Sequence, residues 1–328
     1  MLEKFADSRH FYEHEVAPML MESFHEYVGR IAVGLVGEGS DCFGRDDLIS
    51  RDHDFGTGVC LWLTDADMAL FGKELSNAYD ALLEKRGGGR LSKRLRERRG
   101  VMTINVFYSD ILGCEVDAER CLLSENDWMR LDHSCLATAV NGEVFRDDAG
   151  VFSAFRKLLL DYYPEKIWRV RIAEEFHRFS ASLQVNYARC MTRGDIVTAN
   201  ICRNRGVEAA MQLFFLYKRE YPPYYKWTYR RMEELDREAN VWPSKPFSGE
   251  SGVYSELVRE LSCETGDPEC WKDRPYNSDR LNTDDKTVRL TEQIAARIVR
   301  FFGQRGLIHD TDPYLEKYVD EILNYEKM

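Results

Sequence analysis

The chain of 328 residues has an ordinary globular composition, with 44% hydrophobic and 31% charged residues, and it is long enough for two packed domains. Its formal net charge of −11 argues against a generally basic surface, so nucleic-acid backbones and anionic lipid are repelled. Small molecules or a protein are therefore the expected partners.

The chain lacks the sequence signs of secretion and of membrane insertion. It has no unbroken apolar run of the kind that a secretory signal or a membrane span needs. The nine cysteines are scattered without a CxxC pair, which indicates free thiols in a reducing compartment rather than a disulfide framework or a zinc site. These observations predict a cytoplasmic protein.

Residues 1–123 mix helical and strand-like patterns. Apolar side chains at helical spacing predict a helix over 10–28, and a second helix is expected over about 66–85. Short apolar runs predict three strands, at 31–36, 59–63 and 101–107. The glycines at 37, 39 and 44 close the first strand in a turn. This mixture predicts an α+β or α/β domain.

From residue 124 to the end, at 328, the pattern becomes helical. Apolar residues recur at helical spacing in four segments, over 152–160, 167–183, 196–217 and 294–302. We predict a helical bundle here and no strand. Residues 240–285 are richer in Pro, Gly, Ser and Asp, which predicts a long loop with one short helix at 253–263.

The segment 37–55 carries the most chemical information. A strand that ends in Gly39-Ser40 and opens a helix presents backbone N–H groups and a hydroxyl to an anion, and glycine lets a phosphate approach without a Cβ in the way. Asp52 and Asp54 follow where the next strand should begin, and alternate side chains of an extended segment face the same side. Two such carboxylates suit Mg²⁺, or Mn²⁺, bound to phosphate oxygens.

This order of Gly-Ser, a gap and Asp-x-Asp resembles the nucleotidyltransferase superfamily. More closely, the chain resembles a bacterial family of uncharacterised function, the domain of unknown function 4037 (DUF4037). The matching motifs lie along almost the whole chain, at 11–12, Pro18, 39–40, 50–54, 141–148, 162–164, Trp168, 186–189, 193–195, 221–227 and 306–307. The resemblance implies a polymerase-β-like mixed sheet with helices, followed by a helical DUF4037-type domain, with the active cleft between them.

One feature departs from the superfamily pattern. Its members usually bring a third carboxylate from a later central strand, but the candidate strand 101–107 contains no acid. Asn105 can ligate a metal weakly through its carbonyl and cannot take a proton. The acids nearest to it in sequence are Glu97, Asp110, Glu115 and Asp117. The sequence therefore supports metal binding more firmly than catalysis.

In the helical half, aromatic residues surround Lys226 within 221–227. By analogy with related nucleotide-transferring enzymes, Lys226 would reach the outer phosphates as a compact charge, with Tyr225 beside it. Alternatively, the two prolines of this segment start a helix and its aromatics pack between domains. Four residues of an adjacent helix would either line the cleft or form a structural hydrogen-bonded network, namely Tyr187, Arg189, Arg193 and Asp195.

The segment 86–99 holds seven basic residues among fourteen. It predicts a solvated loop or, alternatively, a lid that meets a triphosphate or an acidic partner. The overall acidity and the absence of interleaved aromatics in the segment argue against RNA.

The predicted function is transfer of a nucleoside monophosphate, AMP as the first choice, from a nucleoside triphosphate with Mg²⁺ to a hydroxyl group. The resemblance to aminoglycoside nucleotidyltransferases suggests a small hydroxylated acceptor. Gly39 and Ser40 would hold phosphate, Asp52 and Asp54 the metal, and Lys226 the triphosphate tail. Two alternatives stay open: a non-catalytic nucleotide sensor, which the acid-free strand favours, and adenylylation of a protein partner.

Overall fold

The computed structural model describes residues 5–45, 58–85, 99–238, 253–274, 276–277 and 281–324. The chain divides into two compact units, Met1–Tyr162 and Tyr163–Met328. The first unit contains a four-stranded mixed sheet with helices, so the α+β class is confirmed. The described part of the chain contains no helix that is long and apolar enough to cross a membrane.

The first unit begins with one continuous helical segment. It consists of Ala6–Phe11, a π-helical turn Tyr12–Val16, and Ala17–Ser23. Phe11, Val16 and Leu20 are fully buried at helical spacing, which confirms the apolar face predicted for a helix over 10–28.

The sheet of the first unit has four short strands. These are β1 (Ala32–Leu35), β2 (Cys60–Leu63), β3 (Gly100–Thr103) and β4 (Glu143–Arg146). Their order is β3-β2-β1-β4; β1 is antiparallel to both of its neighbours, and β2 is parallel to β3. The first two predicted strands are confirmed, and the third is confirmed in its N-terminal part.

Alternate residues of the strands face two separate cores. On one side, Val33 and Leu61 pack into an apolar cluster with Phe11. On the other side, Trp62 stacks on Phe152 with ring centroids 3.8 Å apart. Successive residues of β2, Leu61 and Trp62, therefore contribute to opposite cores, as the period of two of a strand requires.

The predicted strand 101–107 was wrong in its second half. β3 ends at Thr103, whose side-chain oxygen accepts a hydrogen bond from the Val106 N–H at 3.1 Å. This N-cap starts the helix Ile104–Leu112 and overrides the strand preference of its β-branched residues. Asn105 therefore lies in the first turn of a helix, not on a strand.

The prediction of no strand after residue 124 was also wrong. β4 follows the helix His133–Val140 and pairs antiparallel with β1, so it completes the sheet. All four of its residues are only partly buried, and two are charged, so the strand has no apolar run to reveal it. The first compact unit accordingly extends to Tyr162, whereas the sequence suggested a boundary at 123/124.

The remaining described elements of the first unit are helices. They are Asp65–Asp67, Met68–Gly72, Lys73–Lys85, Glu125–Arg130 and Val151–Leu160, together with a short 3-10 helix at Val28–Arg30. The first three form one continuous helical segment, which confirms the helix predicted over about 66–85.

Within the described residues of the second unit, the regular elements are all helical. The longer ones are Glu165–Phe179, Ser180–Asn186, Tyr187–Thr192, Ile196–Lys218, Tyr225–Glu238, Tyr254–Cys263 and Lys286–Gln304, and a short one at Val319–Leu323 follows. The helix Ile196–Lys218 packs against Glu165–Phe179, Tyr254–Cys263 and Lys286–Gln304. The four predicted helical segments and the short helix at 253–263 are confirmed.

Candidate functional site

The predicted phosphate-binding turn directly follows β1. Gly37 and Gly39 have φ angles of 114° and 125°, a backbone region that favours glycine. The Ser40 carbonyl accepts hydrogen bonds from the N–H groups of Phe43 at 3.1 Å and Arg45 at 2.8 Å, which closes the turn. Up to Arg45 the chain forms this turn rather than the regular helix that the sequence suggested.

Asn141 fixes the start of the turn. Its Oδ1 accepts a hydrogen bond from the Gly37 N–H at 2.8 Å, and its Nδ2 donates to the Gly37 carbonyl at 2.7 Å. The next residue, Gly142, has a φ of 64°, and a Cβ there would overlap the Leu35 carbonyl oxygen. Asn141 lies in one of the family motifs, but sequence analysis gave it no role.

An ion pair lies beside Gly39. The Asp41 carboxylate accepts hydrogen bonds from Arg99 Nη2 and from the Cys42 N–H, the latter at 2.9 Å. The Arg99 side chain is 3% exposed, and that of Asp41 is 24% exposed. Burial lowers the pKa of Arg99, but the neighbouring Cys42 and Asp41 raise it, so the net pKa lies above its ordinary value and the guanidinium stays charged.

Two thiols pack beneath this turn. Cys42 Sγ donates to the Glu38 carbonyl at 3.6 Å, and Cys60 Sγ donates to the Val36 carbonyl at 3.7 Å. Burial raises the pKa of both thiols, that of Cys60 to about 11, so they stay protonated and unreactive near neutral pH. All nine cysteines are free, as expected.

Asn105 fixes a loop. Its Oδ1 accepts hydrogen bonds from the N–H groups of Ala118 at 2.9 Å and Glu119 at 3.3 Å. Its Nδ2 donates to Asp65 at 2.9 Å. The oxygen considered as a weak metal ligand is therefore engaged by backbone donors.

The carboxylates of the predicted metal site, Asp52 and Asp54, lie outside the described residues, as do Glu97 and the basic residues over 86–98. Within the described ranges, no group of three or more His, Cys, Asp or Glu side chains could hold a metal ion. The described geometry therefore covers the Gly39-Ser40 turn and its supports.

Residues 128–228 match the family model described as domain of unknown function, DUF4037. This part of the chain belongs to DUF4037. Comparisons of the chain with curated proteins and with solved structures found no match. The DUF4037 segment includes Asn141, Tyr187 and Lys226, whereas the Gly39-Ser40 turn precedes it.

Near the end of the DUF4037 segment, the helix Tyr225–Glu238 begins directly after two prolines and a tyrosine. Thr228 Oγ1 donates to the Pro223 carbonyl at 2.8 Å, so the proline segment and the first turn are joined. Lys226 is exposed, and its Nζ lies 5.3 Å from the centre of the Tyr224 ring. Tyr225 is 89% exposed. The helix start that the alternative interpretation required is confirmed, and the phosphate role of Lys226 stays a prediction.

Tyr187 of the DUF4037 segment lies in a buried polar network. Its hydroxyl donates to Asp285 Oδ2 at 2.9 Å, and Trp271 Nε1 donates to the same oxygen at 2.7 Å. The other oxygen of Asp285 accepts the Thr287 N–H at 2.7 Å and caps the helix Lys286–Gln304. Burial raises the pKa of Tyr187. These contacts give Tyr187 a structural role.

The other three residues proposed for the cleft are exposed. Asp195 is the N-cap of the helix Ile196–Lys218 and accepts the Thr198 N–H at 3.0 Å, a bond that lowers its pKa. Arg189 lies over the Tyr276 ring at 5.3 Å, and Arg193 is on the surface. Asp195 therefore stabilises a helix end, and the structure gives Arg189 a ring contact.

Sequence analysis missed two supports of the turn, Asn141 and the ion pair of Asp41 with Arg99. Arg99 was included in the basic segment 86–99, although it directly precedes β3. That position, next to the start of a predicted strand, is the signal that could have separated it from the rest of the basic segment.

Proposed function

We propose that this protein binds a nucleoside triphosphate with Mg²⁺ and transfers a nucleoside monophosphate, AMP as the first choice, to a hydroxyl group of a small molecule. The hydroxyl oxygen attacks the α-phosphorus, the bond from that phosphorus to the pyrophosphate breaks, and the hydroxyl proton passes to a base or to water. The observation that carries the proposal is the glycine turn at the end of β1, with Gly39 at a φ of 125° and Ser40 closing the turn. Such a turn suits the close approach of a phosphate to main-chain N–H groups.

The register of the sheet supports a metal site beside this turn. Because β1 and β2 are antiparallel, with Gly34 opposite Cys60, the end of β1 and the start of β2 share one edge of the sheet. A Cβ built on Gly58 would lie 3.3 Å from Arg99 Cδ, and one on Gly39 would lie 3.8 Å from Arg99 Nη2. Asp54 is four residues before Gly58, so the chain between them spans at most about 14 Å. A chain of this length allows the position of Asp54 beside the turn that the proposal requires.

Each proposed residue has one role. Gly39 and Ser40 would contact the phosphates, and Asp52 and Asp54 would hold Mg²⁺ or Mn²⁺. A metal held there would supply positive charge that offsets the charge developing on the transferred phosphoryl group. Lys226 would contact the triphosphate tail as a point charge.

The reaction is tested with labelled nucleotides and a panel of small hydroxylated acceptors. A thermal-shift screen over ATP, GTP, CTP and UTP, with and without Mg²⁺, first identifies the nucleotide, because a ligand of the native state raises its melting temperature. We expect label transfer with release of pyrophosphate, and loss of transfer in Asp52→Asn. Asp161→Asn, which breaks an exposed ion pair with Lys157, is the matched control. Unchanged transfer in Asp52→Asn would contradict the metal role.

The second candidate is a nucleotide sensor without catalytic activity. It is favoured by β3, which carries no acid, and by Asn105, whose oxygen is engaged by backbone donors. A sensor would bind nucleotide in calorimetry and show no turnover with any acceptor. Detection of pyrophosphate in proportion to labelled product rules the sensor out.

A further inference from the structure

Arg99 lies where three segments of the first unit meet. It directly precedes β3, and the next residue, Gly100, donates its N–H to the Val59 carbonyl at 3.0 Å. Its aliphatic part lies against Gly58, just before β2, and its guanidinium bonds to Asp41 in the turn after β1. One buried side chain therefore connects the turn to the entries of two strands.

The connection reaches Gly39 through Asp41. A Cβ on Gly39 would overlap Asp41 Oδ1, so this carboxylate packs directly on the glycine backbone. The same oxygen accepts the Cys42 N–H at 2.9 Å, which holds the carboxylate in the turn. Displacement of the Asp41 carboxylate would therefore break the bond to the Cys42 N–H and remove the packing contact with Gly39.

The ion pair of Asp41 with Arg99 also affects the electrostatic potential at the turn. A lone carboxylate beside a phosphate-binding turn would repel the phosphate, and a lone guanidinium with 3% of its side chain exposed would be a costly unpaired charge. Paired, the two groups neutralise each other, and the turn keeps the positive potential of its N–H groups.

We infer that Arg99 is a positioning residue: through Asp41 it holds the Gly39-Ser40 turn in the conformation that receives the phosphates of the nucleotide. This inference rests on the proposed function. Arg99 then has a role of its own within the basic segment 86–99, because its side chain is buried in the first unit.

The test measures the turn and the ligand separately. Hydrogen–deuterium exchange of peptides covering 33–45, without nucleotide, reports the order of the turn, and titration calorimetry with Mg²⁺-ATP reports affinity. The variants are Arg99→Lys, which keeps the charge but loses the planar fork, and Asp41→Asn, which keeps the shape but loses the charge. The control is Arg30→Lys, because Arg30 pairs with the buried Asp67 in the same unit.

We expect faster exchange of the turn and an affinity for Mg²⁺-ATP that is lower by about tenfold in both variants, the effect of one lost charge-assisted hydrogen bond. The Arg30→Lys control should keep the wild-type exchange of the turn and the wild-type affinity for Mg²⁺-ATP, even if its melting temperature falls as far as that of the two test variants. An Arg99→Lys protein that exchanges and binds like the wild type overturns the inference and leaves the proposed function standing. If the wild type binds no nucleotide, the proposed function fails, and the part of the inference that concerns the nucleotide fails with it. Unchanged hydrogen exchange in both variants would show that the pair of Arg99 with Asp41 does not order the turn.

Discussion

The two units use polar side chains differently. In the first unit, Asn141 and the ion pair of Asp41 with Arg99 bond to the backbone of one glycine turn or pack against it. In the second unit, Tyr187 contacts Asp285, which caps a helix and binds a second aromatic side chain. The polar residues of the first unit thus support a turn that we propose as a phosphate site, whereas those of the second unit join helices and use their hydrogen bonds inside the fold.

The largest expected effect is a loss of stability where Gly142 packs against the end of β1, beside the turn. Gly142→Ala would place a Cβ on the Leu35 carbonyl oxygen at a φ of 64°, so β1 and β4 must separate. We expect the free energy of unfolding to fall by about 4 kcal/mol or more, measured by urea denaturation.

Gly150→Ala is the matched control for this change. Gly150 has a φ of 73°, and a Cβ there would meet no atom within 4 Å, so only the backbone strain of about 1 kcal/mol is expected. An equal loss of unfolding free energy in the two variants would show that the close approach of Gly142 to the Leu35 carbonyl does not matter for stability.

A smaller effect is expected in the buried network of the second unit. Asp285→Ala leaves the Tyr187 hydroxyl and the Trp271 indole N–H without their acceptor and removes a helix cap. Together these losses should cost about 3 kcal/mol of stability. Calorimetry at a temperature where the variant is folded should give the wild-type affinity for Mg²⁺-ATP. A loss of affinity in the folded variant would place the network in the nucleotide site and break the comparison.

The smallest expected effect concerns pH and Glu175 of the second unit. Burial raises the pKa of this carboxyl to about 7, against the lowering effect of Arg178. The folded form then binds a proton more tightly than the unfolded form, whose pKa is about 4.3. Stability from this group is therefore full below about pH 4 and is lost as the pH rises toward 7.

Glu175→Gln tests this dependence. The substitution should remove this decline in unfolding free energy, which a pKa of about 7 in the folded form against about 4.3 in the unfolded form makes about 2 kcal/mol between pH 5 and 7. Denaturation at several pH values measures it. If the unfolding free energy of the wild type rises from pH 5 to 7, and the variant shows the same pH dependence, Glu175 is ionised throughout this range.

Sequence patterns predicted the elements that local physics decides. The runs at 31–36 and 59–63 gave strands because they are apolar throughout, and long helices followed from apolar periodicity. β4 was not predicted because its pairing with β1 decides its conformation. The strand predicted over 101–107 ends early because Thr103 caps a helix. Glycine spacing indicated the turn, but its supports were hidden because Arg99 and Asn141 find their partners 58 and 104 residues away.

The central claim is that a divalent ion held by Asp52 and Asp54 joins a nucleotide to the Gly39-Ser40 turn. Titration calorimetry with ATP, in the presence and absence of Mg²⁺, tests it most directly on the wild type, Asp52→Asn, Asp54→Asn and the control Asp161→Asn. The account predicts Mg²⁺-dependent binding that both aspartate variants lose and the control keeps. Binding of equal strength in all four proteins, or none in the wild type, would contradict it.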